Sequence, residues 1–209
     1  MERYVNVAGK FLFQQYLPHI VAAVGLCLLS GGFMSFRNLE EAQAAKIIEQ
    51  YLILIGMLLF TPLFMAEQDI DIWQLERTKS MPMWKQYLIR LFWAVLSLGI
   101  IAGGFFLFLK SQNETLVMDK LFAGGFAELL FLGSVGYFAS AVTNQVVIGY
   151  MIAVIYYVIN VGGAKYLGKL ALFQMTKGTY DFAGWMYLVA ICLIAAGILI
   201  REIITAKRM

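Results

Sequence analysis

The sequence predicts an all-α integral membrane protein with about six transmembrane helices, and three observations carry that prediction. Of the 209 residues, 61% are hydrophobic and 14% charged, against about 45–50% and about 25% in a soluble domain. The apolar residues gather into runs close to the roughly 20 residues of helix that cross a hydrocarbon core about 30 Å thick. The polar intervals between the runs are short, with one exception at residues 66–90. The chain therefore reads as a single transmembrane domain over residues 1–209. A formal charge of +3 gives no signature of a nucleic-acid partner.

Residues 1–15 read as an N-terminal interfacial helix. Tyr4, Val7, Ala8, Phe11 and Leu12 share one broad face, with Arg3, Asn6, Lys10 and Gln14 opposite. A frayed tail is the alternative, because so short a helix is marginal by itself. A cleaved signal peptide fits poorly, since the following apolar run exceeds the usual h-region of about 7–15 residues.

The spans are expected at about 16–35, 48–65, 88–109, 121–142, 146–162 and 183–204. A charged link with Glu40, Glu41, Lys46 and Glu49 joins the first two. Pro62 should kink or loosen the last turn of the second. Gly99 and Gly103 give the third a GxxxG spacing, which permits close helix approach in lipid. Between the fourth and fifth spans stand only Thr143, Asn144 and Gln145. One continuous helix over 129–161 would be about 50 Å long, so a tight turn is required there. Residues 163–182 mix Lys165, Lys169 and Lys177 with Tyr166, Leu170, Leu172 and Phe173. They read as one or two short helices dipping into the interface. Cys27 and Cys192 fall in apolar runs and read as small packing residues. His19, alone beside Pro18, reads as structural.

Lysine and arginine near the span ends place both termini in the cytoplasm together with residues 66–90, and residues 163–182 outside.

Residues 163–169 fit GxxxxGK, but Leu170 stands where magnesium coordination needs Ser or Thr, and a membrane span precedes the motif instead of a buried strand. The glycines read instead as a helix end. No HExxH, GxSxG or cysteine–histidine cluster is present, and the chain reads as a non-enzyme. Glu128 is the one acid well inside a predicted span, which makes it a possible intramembrane functional residue. A structural hydrogen bond across the bundle is the plainer alternative. Gly124 and Gly125 share its face, so it should point at another helix.

The interval 66–90 carries acids first (Glu67, Asp69, Asp71, Glu76) and bases second (Arg77, Lys79, Lys85, Arg90), with Trp73 and Trp84 among them. At 100° per residue Ile70, Trp73 and Arg77 share one face, Ile72 and Leu75 lie on the other, and Asp69 and Glu76 fall between. A short helix apolar on two faces suits an element gripped between the membrane bundle and a partner. Trp and Arg are the types most enriched at binding hot spots. An ordinary solvated loop with interfacial tryptophans is the alternative.

Taken together, the interfacial helix, about six spans, a charged short helix after span two, a minimal turn after span four and a semi-apolar link before span six resemble the permease subunits of ATP-binding-cassette (ABC) exporters of the type 2 subclass. The resemblance covers the whole chain as architecture. It is sharpest at Glu67, Ile72-Trp73, Leu75-Glu76, Ser80-Met81-Pro82, Lys85 and Arg90, while the family's usual glycine is missing around Asp71-Ile72.

The resemblance implies that a separate ATPase chain binds ATP and magnesium, and that this chain carries no cofactor. It implies a cytoplasmic coupling helix with Glu67, Ile70, Trp73, Glu76 and Arg77 as ATPase-coupling residues. A second permease chain, identical or not, would complete the path in a cell membrane, taken as a bacterial plasma membrane. The aromatic-rich spans and small external loops favour an amphipathic cargo: a peptide, toxin, antibiotic or lipid-like molecule. The rival readings are an ion-gradient-driven secondary transporter or channel using Glu128, for which no inverted repeat is evident, and a purely structural membrane subunit.

Overall fold

The computed structural model describes residues 16–33, 36, 39–69, 82–113, 116–163 and 167–207. Among these all the regular structure is helical, without a strand, and six helices carry the fold: α1 Leu17–Phe33, α2 Glu41–Gln68, α3 Met83–Gln112, α4 Met118–Thr143, α5 Val146–Gly163 and α6 Ala183–Lys207. By length and composition α2, α3, α4 and α6 can each cross a membrane, whereas α1 and α5 are shorter apolar helices. This is compatible with an all-α membrane protein. The proposed interfacial helix at 1–15 lies outside the described residues. So do Ile70, Trp73, Glu76 and Arg77 of the polar interval.

α2 begins at Glu41, well before residue 48, where the apolar pattern alone would start it. The stretch from Glu41 to Lys46 is rich in Glu, Ala and Gln, which are good helix formers. Its start is tied by the Gln43 side chain, which accepts the Glu40 amide at 3.2 Å. Lys46 and Glu49, read from sequence as part of a link, therefore belong to a helix.

α2 is also irregular. A π turn occupies Ile48–Leu52, and the helix tightens to 3₁₀ over Thr61–Gln68 around Pro62. Proline has no N–H to give the carbonyl one turn back. That carbonyl, on Leu58, receives the Tyr150 hydroxyl of α5 at 3.3 Å. The next one, Leu59, receives the Tyr16 hydroxyl at 3.1 Å, and Gln50 in the π turn receives Tyr157 at 3.0 Å. Loosened backbone in an apolar bundle is tolerated when neighbours satisfy it in this way.

α4 lies at the centre, packed on α2, α5 and α6. Its last residue, Thr143, is followed by Asn144 in the left-handed region at φ 57°, and α5 starts at Val146. Asparagine is among the few residues that adopt that conformation readily. The required tight turn is thus built by the residue the sequence supplies for it.

Close helix approach occurs at glycines other than the GxxxG pair. A Cβ on Gly99 or Gly103 would meet nothing within 4 Å, so that spacing marks no contact within the chain. A Cβ on Gly133 would stand 2.7 Å from the Gly56 carbonyl oxygen, and one on Gly149 would stand 2.7 Å from that of Gly136. The backbones of α2 and α5 thus touch α4 directly, as small residues allow where packing holds helices together. By contrast α3 and α6 turn Phe92, Ile100, Leu107, Leu188, Ile191 and Leu199 outward. These surfaces suit lipid.

Candidate functional site

Two polar clusters form inside this apolar bundle, one at each end of α2. The first is centred on Glu67, in the 3₁₀ turns that follow Pro62. Glu67 is 1% exposed. Arg90 of α3 donates to its Oε1 at 2.9 Å, and Arg201 of α6 donates to Oε2. Tyr87 donates to the same Oε2 at 3.1 Å. Arg90 also reaches the Leu63 carbonyl at 3.2 Å, and Arg201 donates to the Asn144 side chain in the α4–α5 turn. The Arg201 guanidinium lies 5.0 Å above the Phe64 ring, which packs in turn on Tyr137 at 4.7 Å. The Arg201 Nε and the Tyr137 hydroxyl are buried without a hydrogen-bond partner.

One carboxylate thus joins α2, α3, α6 and, through Arg201, the α4–α5 turn. Removing one partner from such a buried set costs far more than removing a surface ion pair.

The second cluster lies at the other end of α2, about 27 Å away along the helix. Glu49 is completely buried. Its Oε1 accepts the Met175 amide at 2.6 Å, and its Oε2 accepts the Thr176 amide at 3.2 Å together with the Thr176 hydroxyl. The segment 167–182 folds back over this end of the bundle as a cap. Its Leu172 amide is held by Asn160 of α5 at 2.7 Å, and Tyr156 donates to the Leu170 carbonyl at 2.6 Å. Met175 seats on Gly124 and Gly125. A Cβ on Gly124 would be 2.6 Å from its sulfur, and one on Gly125 would be 3.8 Å from its Cε. Outside the spans, the Tyr180 hydroxyl donates to Glu41 at 2.6 Å. Burial, followed by that bond and the charges of Glu41 and Glu49, pushes the hydroxyl well above its ordinary pKa.

Glu128 projects from α4 beneath the cap. It is 0% exposed, and neither carboxyl oxygen has a hydrogen-bond partner. The Glu49 carboxylate is the like charge acting on it. The amides of Phe173 and Gln174 approach it without completing a bond. Gly124 and Gly125 therefore face the cap, not only a neighbouring helix as their position suggests.

Residues 163–169 do not form a phosphate cradle in their described part. Gly168 is left-handed at φ 56°, Gly168–Leu170 is a single 3₁₀ turn, and Lys169 packs 5.2 Å over Trp185. A P-loop needs a helix N-terminus at that point to bind phosphate. The isolated chain should show no saturable ATP binding, and Lys169→Ala should change nothing. A titration with labelled nucleotide checks both. Among the described residues no group of three or more His, Cys, Asp or Glu side chains is placed to hold a metal.

Of the residues singled out from sequence, Glu67 and Glu128 are both buried, in separate clusters. Arg90, read as the far end of the polar interval, meets Glu67 directly. Arg201 falls within the last expected span, 183–204, and Asn144 in the minimal turn between spans four and five; the sequence alone assigns neither to a polar cluster. A signal for Arg201 was present: apolar residues flank it on both sides, Ile198 to Ile200 before and Ile203–Ile204 after. A charge so placed needs a partner inside the bundle. Glu49 carried no comparable signal, because its ligands come from a segment more than a hundred residues away. No known family, curated protein or solved structure matches the chain.

Proposed function

We propose that this chain is the transmembrane subunit of an ATP-driven exporter of the kind its layout resembles. It would line the path for an amphipathic cargo and couple to a separate ABC ATPase that holds ATP and magnesium. In this reading all six helices cross a cell membrane, both termini are cytoplasmic, and a second permease chain completes the path.

The observation that carries the reading is the Glu67 cluster. Glu67 sits three residues before residues 70–81, where Trp73, Glu76 and Arg77 would meet the ATPase. A coupling element must pass a displacement to the bundle, and a flexible loop would absorb it. A carboxylate bonded to α3 and α6 ties the root of the interval to helices on two sides. Charge-assisted bonds of this kind are short and directional, so a push on the interval moves those helices with it. A second reading, transport driven by an ion gradient, draws on the unpartnered carboxyl of Glu128.

Purification of the tagged chain from its native membrane decides between them. The export reading expects an ABC ATPase, recognised by its Walker motifs, to co-purify. Truncating a buried aromatic hot spot costs about 2 kcal/mol, roughly thirtyfold in affinity. An exposed single charge costs at most about 1 kcal/mol. Trp73→Ala should therefore release the ATPase, and Lys79→Ala should retain it. Undiminished co-purification in a Trp73→Ala, Glu76→Ala double variant would place the coupling surface elsewhere.

A further inference from the structure

We propose that the 167–182 segment is a releasable cap, latched shut by Glu49 and biased towards opening by Glu128. As the outer gate of an export path the cap rests on the reading above; its movement does not.

The cap has the features of a segment with two positions. Leu172, Met175 and Phe182 seat it on the core, Tyr156 bonds near one end and Tyr180 ties the other to Glu41, and its remaining polar holds are concentrated. One carboxylate takes two consecutive backbone amides and a hydroxyl, Asn160 takes a third amide, and one methionine fills a socket floored by two glycines. Other terms oppose closure. Phe173 is held in the left-handed region at φ 63°, a conformation disfavoured for any residue with a Cβ and maintained only when its surroundings over-determine it. Glu128 loses all water beneath the cap, and the Phe173 and Gln174 amides that approach it offset this only in part because neither completes a hydrogen bond; a buried polar group left in that state favours a rearrangement that hydrates it.

The two carboxylates therefore act in opposite directions on one segment. Glu49 supplies bonds that exist only when the cap is down. Glu128 supplies a penalty that exists only when the cap is down. A closed state that carries both is poised, because a modest change at either end tips it.

The test uses the complete chain in membranes, with Cys27 and Cys192 replaced by alanine and Leu172→Cys as a reporter. Leu172 is fully buried in the cap, so a maleimide reaches it only when the cap lifts. Glu49→Ala should raise the labelling rate at least tenfold. Glu128→Leu, which removes the unpartnered carboxyl and leaves an apolar side chain, should lower it about threefold. If Glu49→Ala does not accumulate, Thr176→Val removes one of the three latch bonds and should raise the rate about threefold. Equal rates in the parent and both latch variants, or a change of the same sign from Glu49→Ala and Glu128→Leu, would overturn the proposal.

A Gly124→Cys, Met175→Cys pair gives a second readout. The Met175 Cγ lies 3.1 Å from a Cβ on Gly124, so oxidation should link cap to α4 and abolish Leu172→Cys labelling until reductant is added. Labelling that persists through the cross-link would also overturn it. A moving cap on a chain that retains no ATPase sinks the export reading alone. A static cap on a chain that retains one sinks this inference alone.

Discussion

Replacing Glu67 with alanine should destabilise the protein by about 3–5 kcal/mol, the range for breaking a buried ionic set by removing one member. The substitution removes the carboxylate that two buried guanidiniums share, while Arg90 and Arg201 stay 4% and 2% exposed. Arg90 keeps the Leu63 carbonyl and Arg201 keeps Asn144, but neither retains a counter-charge at Glu67, and the Tyr87 hydroxyl loses the Glu67 carboxylate. In a domain of this size the loss corresponds to a fall in melting temperature of about 10 °C, measurable by thermal unfolding in detergent. Glu67→Gln keeps the shape and one acceptor, and should fall between the two. A triple replacement, Glu67→Leu with Arg90→Met and Arg201→Met, should recover much of the stability, since a buried ionic triad can be exchanged for apolar side chains at little cost. If the cluster transmits motion, that triple variant should be stable and uncoupled. An unfolding curve unmoved by Glu67→Ala would mean that water reaches the cluster and that it bears little of the fold.

The second large effect is expected at Gly56. An added Cβ would lie 2.8 Å from the Leu129 carbonyl carbon and 3.2 Å from its Cα. These are backbone atoms of a central helix, which cannot swing aside as a side chain would. Gly56→Ala must therefore push α2 away from α4 and undo neighbouring contacts, including the approach of Gly133. Overpacking typically costs about 1–3 kcal/mol, and a backbone obstacle puts this case at about 3 kcal/mol or more. Gly99→Ala and Gly103→Ala should be close to neutral in the isolated chain, or slightly stabilising through helix propensity. The same unfolding assay ranks all three. Loss of stability at Gly99 or Gly103 that matches the loss at Gly56 would contradict the packing described.

Hydrophobic patterning made the helical class and the long apolar helices legible, because helices that cross lipid must be apolar over a set length. The break at Asn144 followed from length alone. Burial of Glu128 followed from its place within an apolar run. Three things were not legible. The early start of α2 was hidden, because its first turns are charged and carry no apolar pattern. The meeting of Glu67, Arg90, Arg201 and Asn144 was hidden because those residues lie far apart in the chain, and nothing local says which charge finds which. The role of Glu49 was hidden for a further reason: its partners are mostly backbone amides, and an amide has no identity in a sequence. The GxxxG spacing permits close approach, yet Gly99 and Gly103 meet no neighbour within the chain. The spacing marks where a helix can be approached, not whether another helix is there.

The π turn in α2 has a mechanical consequence. Each residue of an α-helix turns the chain by about 100°, so one surplus residue in the hydrogen-bonded ring rotates everything beyond it by about that angle. Glu49 lies within this turn, and Glu67 lies past both it and the 3₁₀ stretch. α2 is thus less a rod than a shaft with two joints. Tyr157 and Tyr150 of α5 each pin one joint, through the Gln50 and Leu58 carbonyls.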